Sequence, residues 1–182
     1  MGVDLYQPFT NHITGETFRC ISSSAEAYVT EWIVQPGGFV PFEHVHPAQE
    51  EVFHVKQGEL RAVIDGHEQI ITAGQTVIIP RGARQIAFNN KPAVLRCVLE
   101  YRPGLDSYQM FQCFGGLALD GDINHWGLAN PMKMMYFMRK ANARALARPS
   151  YIPGLIFRLL LNIFFVVGSI SGWERLYKKY TG

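Results

Sequence analysis

"GGFVPFEHVHPAQEEVFHVKQG", residues Gly37–Gly58, holds three of the chain's six histidines. His44 and His46 stand one residue apart and are followed by Glu50 and Glu51. In a strand, successive side chains alternate faces, so His44 and His46 project to the same side. If Glu51, Phe53 and Val55 face inward on the next strand, Glu51 comes round to meet them. Two imidazoles and a carboxylate on one inner surface make a facial set of N and O donors. Such a set suits Fe(II), Mn, Ni, Co or Zn and leaves coordination positions open. The same parity turns His54 and Glu50 away from that surface. An isolated H-x-H is usually polar surface. Here, burying two histidines and a glutamate without a cation would leave a costly cluster of desolvated polar groups.

The flanking text is strand and turn from about Glu16 to Tyr101. "ETFRCISS" and "AYVTEWIVQ" are rich in aromatic and β-branched residues. "ELRAVIDGHEQIIT" reads as a hairpin around Asp65-Gly66, a dipeptide that tolerates the positive φ of a tight two-residue turn. "TVIIP", "RQIAFNN" and "AVLRCVLEY" follow as further short strands. Short strands at this spacing argue a sandwich or barrel rather than βαβ units.

Gly38, His44, His46, Glu51 and Gly58 fall at the intervals G(X)5HXH(X)3-4E(X)6G, and Gly74, Pro80, Gly82 and Asn89 at those of G(X)5PXG(X)2H(X)3N. In both motifs the chain resembles the cupin superfamily. The resemblance implies an all-β domain, a double-stranded β-helix or jelly-roll barrel, with a divalent transition metal in its mouth. It implies His44, His46 and Glu51 as ligands. Where the family usually has a further histidine, this chain has Gln85, a weaker neutral oxygen donor. Gln85 is a fourth ligand, or it steps back from the metal, or it orients substrate.

The implied activity is metal-dependent chemistry on a small organic molecule, foremost a dioxygenase-type oxidation resembling that of quercetin-cleaving cupins. The alternatives are a non-catalytic small-molecule-binding module and a cupin isomerase or epimerase. Other tempting residues carry less. His67 follows a turn, His12 and His125 lie in loop-like segments, and Arg84 and Arg96 are ordinary strand-edge cations.

At 182 residues the chain is long enough for one core plus an extension. The expected division is a cupin domain at 1–105 and a helical extension at 106–182, packed on the barrel or on a dimer partner. Asn130 and Pro131 read as the N-cap and first residue of a helix running toward Ala147, which Pro149 stops. Pro153 opens a second, apolar helix. Residues 1–130 hold 8 Lys+Arg against 14 Asp+Glu, a balance of −6, whereas residues 131–182 hold 9 against Glu174 alone, a balance of +8.

Residues 152–170 are apolar except where Arg158 and Asn162 interrupt them, which makes a marginal candidate for a bilayer span. Docking on the chain's own body or in a homodimer ranks first, with Arg158 reaching a rim carboxylate. Peripheral contact with an anionic membrane ranks second, through a basic face of Lys133, Lys140, Arg144 and Arg148. A true span ranks third and nucleic acid last, since no stacking aromatics interleave with the basic residues. No export signal is apparent, and three unpaired cysteines suggest a cytoplasmic protein.

Overall fold

Half-buried strands show their alternation residue by residue. β3 (Tyr28–Val34) buries Tyr28, Thr30, Trp32 and Val34 and leaves the residues between them half-buried. β10 (Leu95–Arg102) buries Leu95, Cys97, Leu99 and Tyr101 in the same way. The structure is a computed structural model that describes residues 2–141 and 147–182.

The strands form two antiparallel sheets. The larger is ordered β1 (Phe9–Asn11), β2 (Glu16–Ser23), β3, β10, β5 (Glu50–Gln57), β8 (Thr76–Ile79). The smaller is ordered β11 (Arg148–Pro149), β4 (His44–Val45), β9 (Arg84–Phe88), β6 (Glu59–Ile64), β7 (His67–Thr72). One core fills the space between them, with Trp32, Phe53 and Leu99 from the first sheet and Leu60 and Ala87 from the second. Each large apolar side chain buried there stabilises the fold by about 1.5–3 kcal/mol. The hairpin between β6 and β7 turns as its sequence requires, with φ of 49° at Asp65 and 82° at Gly66.

The extension contains α1 (Ser107–Leu119), α2 (Pro131–Lys140), α3 (Gly154–Ile170) and α4 (Glu174–Thr181). α1 faces two ways. Tyr108, Phe111 and Phe114 pack on the sheet core, whereas Met110, Cys113 and Leu117 join Tyr136, Phe137 and Tyr180 in a second cluster. The N-terminal residues are tied into that cluster, because Val3 N donates to Tyr180 O at 2.6 Å and Gln112 Nε2 donates to Val3 O at 2.9 Å. Asn130 caps α2 as expected, accepting from Lys133 N at 3.2 Å.

Several expectations need correction. All-β describes the sheet pair alone, since the whole chain is a mixed fold. No closed barrel is present among the described residues: the sheets face each other, and their edge strands do not join in one hydrogen-bonded cylinder. α2 spans Pro131–Lys140, and residues 142–146 of the expected helix, among them Arg144 of its basic face, lie outside the described residues. Pro149 does more than stop a helix. It belongs to β11, which pairs Arg148 with Val45 and Pro149 with His44. Arg158 is exposed and makes no ion pair among the described residues, so it meets no rim carboxylate.

Candidate metal centre

The two sheets each bring part of one donor set. His44 lies on β4, opposite Gln85 of β9. Glu51 lies on β5, between Tyr101 of β10 and Ile79 of β8. His46 follows the end of β4, and its carbonyl accepts from Gly82 N at 3.0 Å. Gly82 holds φ of 79°, a conformation that glycine adopts without strain, and this lets the turn after β8 reach back to the histidine loop. Between His46 and Glu51, the buried Gln49 donates to Pro103 O at 2.7 Å and to Ser107 Oγ at 2.8 Å. That anchors the connecting loop to the start of α1.

One donor atom from each of His44, His46 and Glu51 lies within 4.8 Å of the others. His46 Nε2 stands 3.3 Å from Glu51 Oε2, and Gln85 Nε2 donates to the same oxygen. His44 Nδ1–H donates to Phe42 O at 3.1 Å, which leaves the Nε2 lone pair free for a ligand. Burial, reinforced by the charge of His46, pushes His44 down to about 4, so its ring is neutral at neutral pH. Burial pushes Glu51 up, but the hydrogen bond and charge of His46, with the neighbouring His44 and the Gln85 amide, outweigh it, and the carboxyl sits below its ordinary value.

These features fit a cation. The set offers a neutral imidazole, an ionised carboxylate and, on His46, a buried Nδ1 with no hydrogen-bond partner among the described residues.

Residues 30–99, which carry every one of these donors, match the family described as the cupin domain. This stretch of the chain is a cupin domain. Among solved structures, an RmlC-like cupin from Shewanella frigidimarina aligns with a TM-score of 0.50 at 18% identity, covering 56% of this chain and 87% of that one. KdgF from Halomonas sp. aligns with a TM-score of 0.51 at 13% identity, covering 59% of this chain and 96% of that one. A Klebsiella pneumoniae protein with a double-stranded β-helix domain reaches 25% identity with a TM-score of 0.48, covering 57% of this chain and 84% of that one. The likeness to the Shewanella and Halomonas proteins is one of fold. No curated protein matches the sequence.

In this cupin the donors stand at the wall of a cavity of about 520 Å³. Phe18, Trp32, Phe53 and Leu99 line its sheet side, and Phe111 and Met138 line its helix side. Tyr101 also faces the cavity. Burial first, then the charge of Glu51, drives its phenol well above the ordinary range, so it keeps its proton.

One cavity residue escaped the reading of the sequence. Glu16 is buried at the start of β2, where Thr14 Oγ1 donates to it at 2.7 Å and Trp32 Nε1 at 3.1 Å. Burial raises its carboxyl to about 7 despite those bonds. The signal was available, because Glu16 shares strand parity with the buried Phe18 and Cys20.

The remaining candidates sit elsewhere. His54 bonds Thr76 at 2.9 Å and Glu100 at 2.8 Å on the outer face. Arg84 lies 3.8 Å from Asp65, and Arg96 lies 3.7 Å from Glu31. His12, His67 and His125 are exposed. Asn89 of the second motif is structural, its amide donating to Val34 O and Ala93 O.

Proposed function

We propose that this cupin is a metal-dependent enzyme that acts on a small, largely apolar organic molecule by a dioxygenase-type oxidation. The observation that carries the reading is the convergence of three donors within 4.8 Å at the wall of an apolar cavity. His44, His46 and Glu51 would hold a divalent transition metal, Fe, Mn, Ni, Co or Zn. Gln85 stands at the fourth position, as a ligand or as the amide that fixes the Glu51 carboxylate. Bound there, such an ion supplies open coordination positions and Lewis-acid or redox chemistry.

The chain's own residues do the rest. Phe42 holds His44 in one tautomer, and Gln85 sets the direction of Glu51. Tyr101 presents a protonated phenol to the cavity, beside the carboxylate. The aromatic and methionine lining exclude water and favour an apolar ligand. In this reading residues 1–105 carry the chemistry, and residues 106–182 cover the cavity.

A non-catalytic ligand-binding module is the second reading. One feature favours it: Glu51 Oε2 is already engaged by His46 and Gln85, so the donors partly satisfy one another.

Elemental analysis and calorimetric titration with each of the five metals test the site. The expected result is one ion per chain, lost in His46→Ala. Equal metal occupancy in parent and variant overturns the assignment. A metal-loaded protein that binds apolar ligands yet consumes no O₂ with any of them selects the second reading.

A further inference from the structure

α3 is covered on one side only. Its inner face buries Phe157, Leu161 and Gly168, and Phe165 stacks on Tyr136 of α2 at 5.6 Å. On the opposite face Leu155, Leu159, Ile163, Val166 and Ile170 recur at spacings of four, four, three and four, which sets them in one stripe. All five are exposed, Leu155 at 81% and Ile170 at 84%. A contiguous apolar surface of this kind marks an interaction site.

The charges around the stripe indicate what covers it. Arg158 projects from the exposed face of α3 itself. Arg139 lies along its flank, donating to Asn162 Oδ1 at 3.0 Å, and Arg148 lies at its N-terminal end, donating to Ile152 O at 2.7 Å. α3 carries no carboxylate at all. The one acidic residue after Asp122 is Glu174, and it is engaged by Lys140 at 2.9 Å and by Tyr136 at 2.9 Å.

We propose that α3 is a membrane-surface helix, and that its apolar stripe and surrounding arginines seat the protein on an anionic bilayer. Pairing of α3 with its counterpart in a second copy would bury Arg158 without a carboxylate and bring like charges together. At a lipid surface the same arginine keeps its stem in the apolar layer and its guanidinium among phosphates. The helix lies in the plane of the membrane instead of crossing it. Its 17 residues span about 25 Å, short of a hydrocarbon core of about 30 Å. Its inner face is occupied by α2, and α4 leaves it at 95°. This seat stands apart from the metal reading, although Tyr151, Ile152 and Phe157 at the start of α3 also line the cavity.

The test is flotation of the full-length protein with vesicles of phosphatidylcholine alone and of phosphatidylcholine mixed with phosphatidylglycerol. The expected result is capture by the anionic vesicles, weakened by salt. Arg158→Ala should cut partitioning roughly fivefold, the equivalent of about 1 kcal/mol per basic residue. Leu159→Glu with Ile163→Glu should cut it on the order of 100-fold, since two buried apolar side chains are lost. His46→Ala should float like the parent, which separates this proposal from the metal assignment. As a second readout, Ile163→Cys carrying an environment-sensitive fluorophore should shift to the blue on anionic vesicles. Absence of capture overturns the proposal. So does a dimer that the double glutamate variant converts to monomer while vesicles bind neither form, because α3 would then be a seam between copies.

Discussion

Pro149 lies directly opposite His44 in an antiparallel ladder, so a strand from the extension borders the strand that carries a candidate ligand. Ser150 extends the contact, its N–H donating to Glu43 O at 3.0 Å. The extension is therefore part of the site's frame.

Deleting residues 150–182 tests that dependence. The truncation removes α3 and α4 and uncovers Tyr136, Phe137 and Leu117, each worth about 1.5–3 kcal/mol of burial. The expected outcome is a lower melting temperature with aggregation on size-exclusion chromatography, and weaker metal binding through a loosened β4. A truncated protein as stable and as soluble as the parent would show that the helices are ornament.

Gln85 gives a graded test. Gln85→Ala removes the amide that directs Glu51 and should weaken metal affinity about 10–100-fold, the usual effect of losing such a supporting group. Gln85→His offers a better nitrogen donor and should bind metal more tightly than the parent. Calorimetric titration ranks the three proteins. Identical affinities throughout would mean that the position is idle.

Gly82→Ala isolates a backbone effect. Among the described residues nothing lies within 4 Å of the added Cβ, so the cost is the positive φ of 79°. That strain is about 1–2 kcal/mol. Because Gly82 N–H also holds the His46 carbonyl, metal affinity should fall along with stability in urea denaturation.

Glu16 predicts a pH dependence. The folded carboxyl keeps its proton up to about 7, whereas an ordinary glutamate loses it near 4.5. Its contribution is present below 4.5, declines as pH rises through that window and is gone above about 7. The shift corresponds to a few kcal/mol, on the order of 3 as an upper bound. His44 has the opposite sign. Its pKa is depressed from 6.5 to about 4, so its contribution is present above 6.5 and lost as pH falls toward 4. Glu16→Gln removes only the first effect and should gain stability relative to the parent between about pH 5 and about pH 8. Urea curves for both proteins at the two pH values measure the difference, and a constant offset would sink the idea.

The convergence of His44, His46 and Glu51 was legible because strand parity and turn spacing alone bring inward positions together. The interval from Gly74 marked Gln85 as a departure, but no pattern could show that its amide reaches Glu51. β11 was hidden because backbone pairing at an edge needs no particular side chain, and a proline reads first as a helix stop. Glu16 shares the parity of Phe18, but a carboxylate at the first residue of a strand resembles a solvated end. In α3 the apolar residues run nearly all round, so composition could not say which side would face α2 and which would stay open.

Glu51 sits in the larger sheet and His44 in the smaller, and the edge strands of the two sheets do not pair among the described residues. An ion gripped by both would act as a rivet across that gap. Its occupancy would add RT ln(1 + [M]/Kd) to the free energy of unfolding. The melting temperature of the protein would then climb with free metal concentration, making heat resistance a gauge of how much metal the surroundings supply.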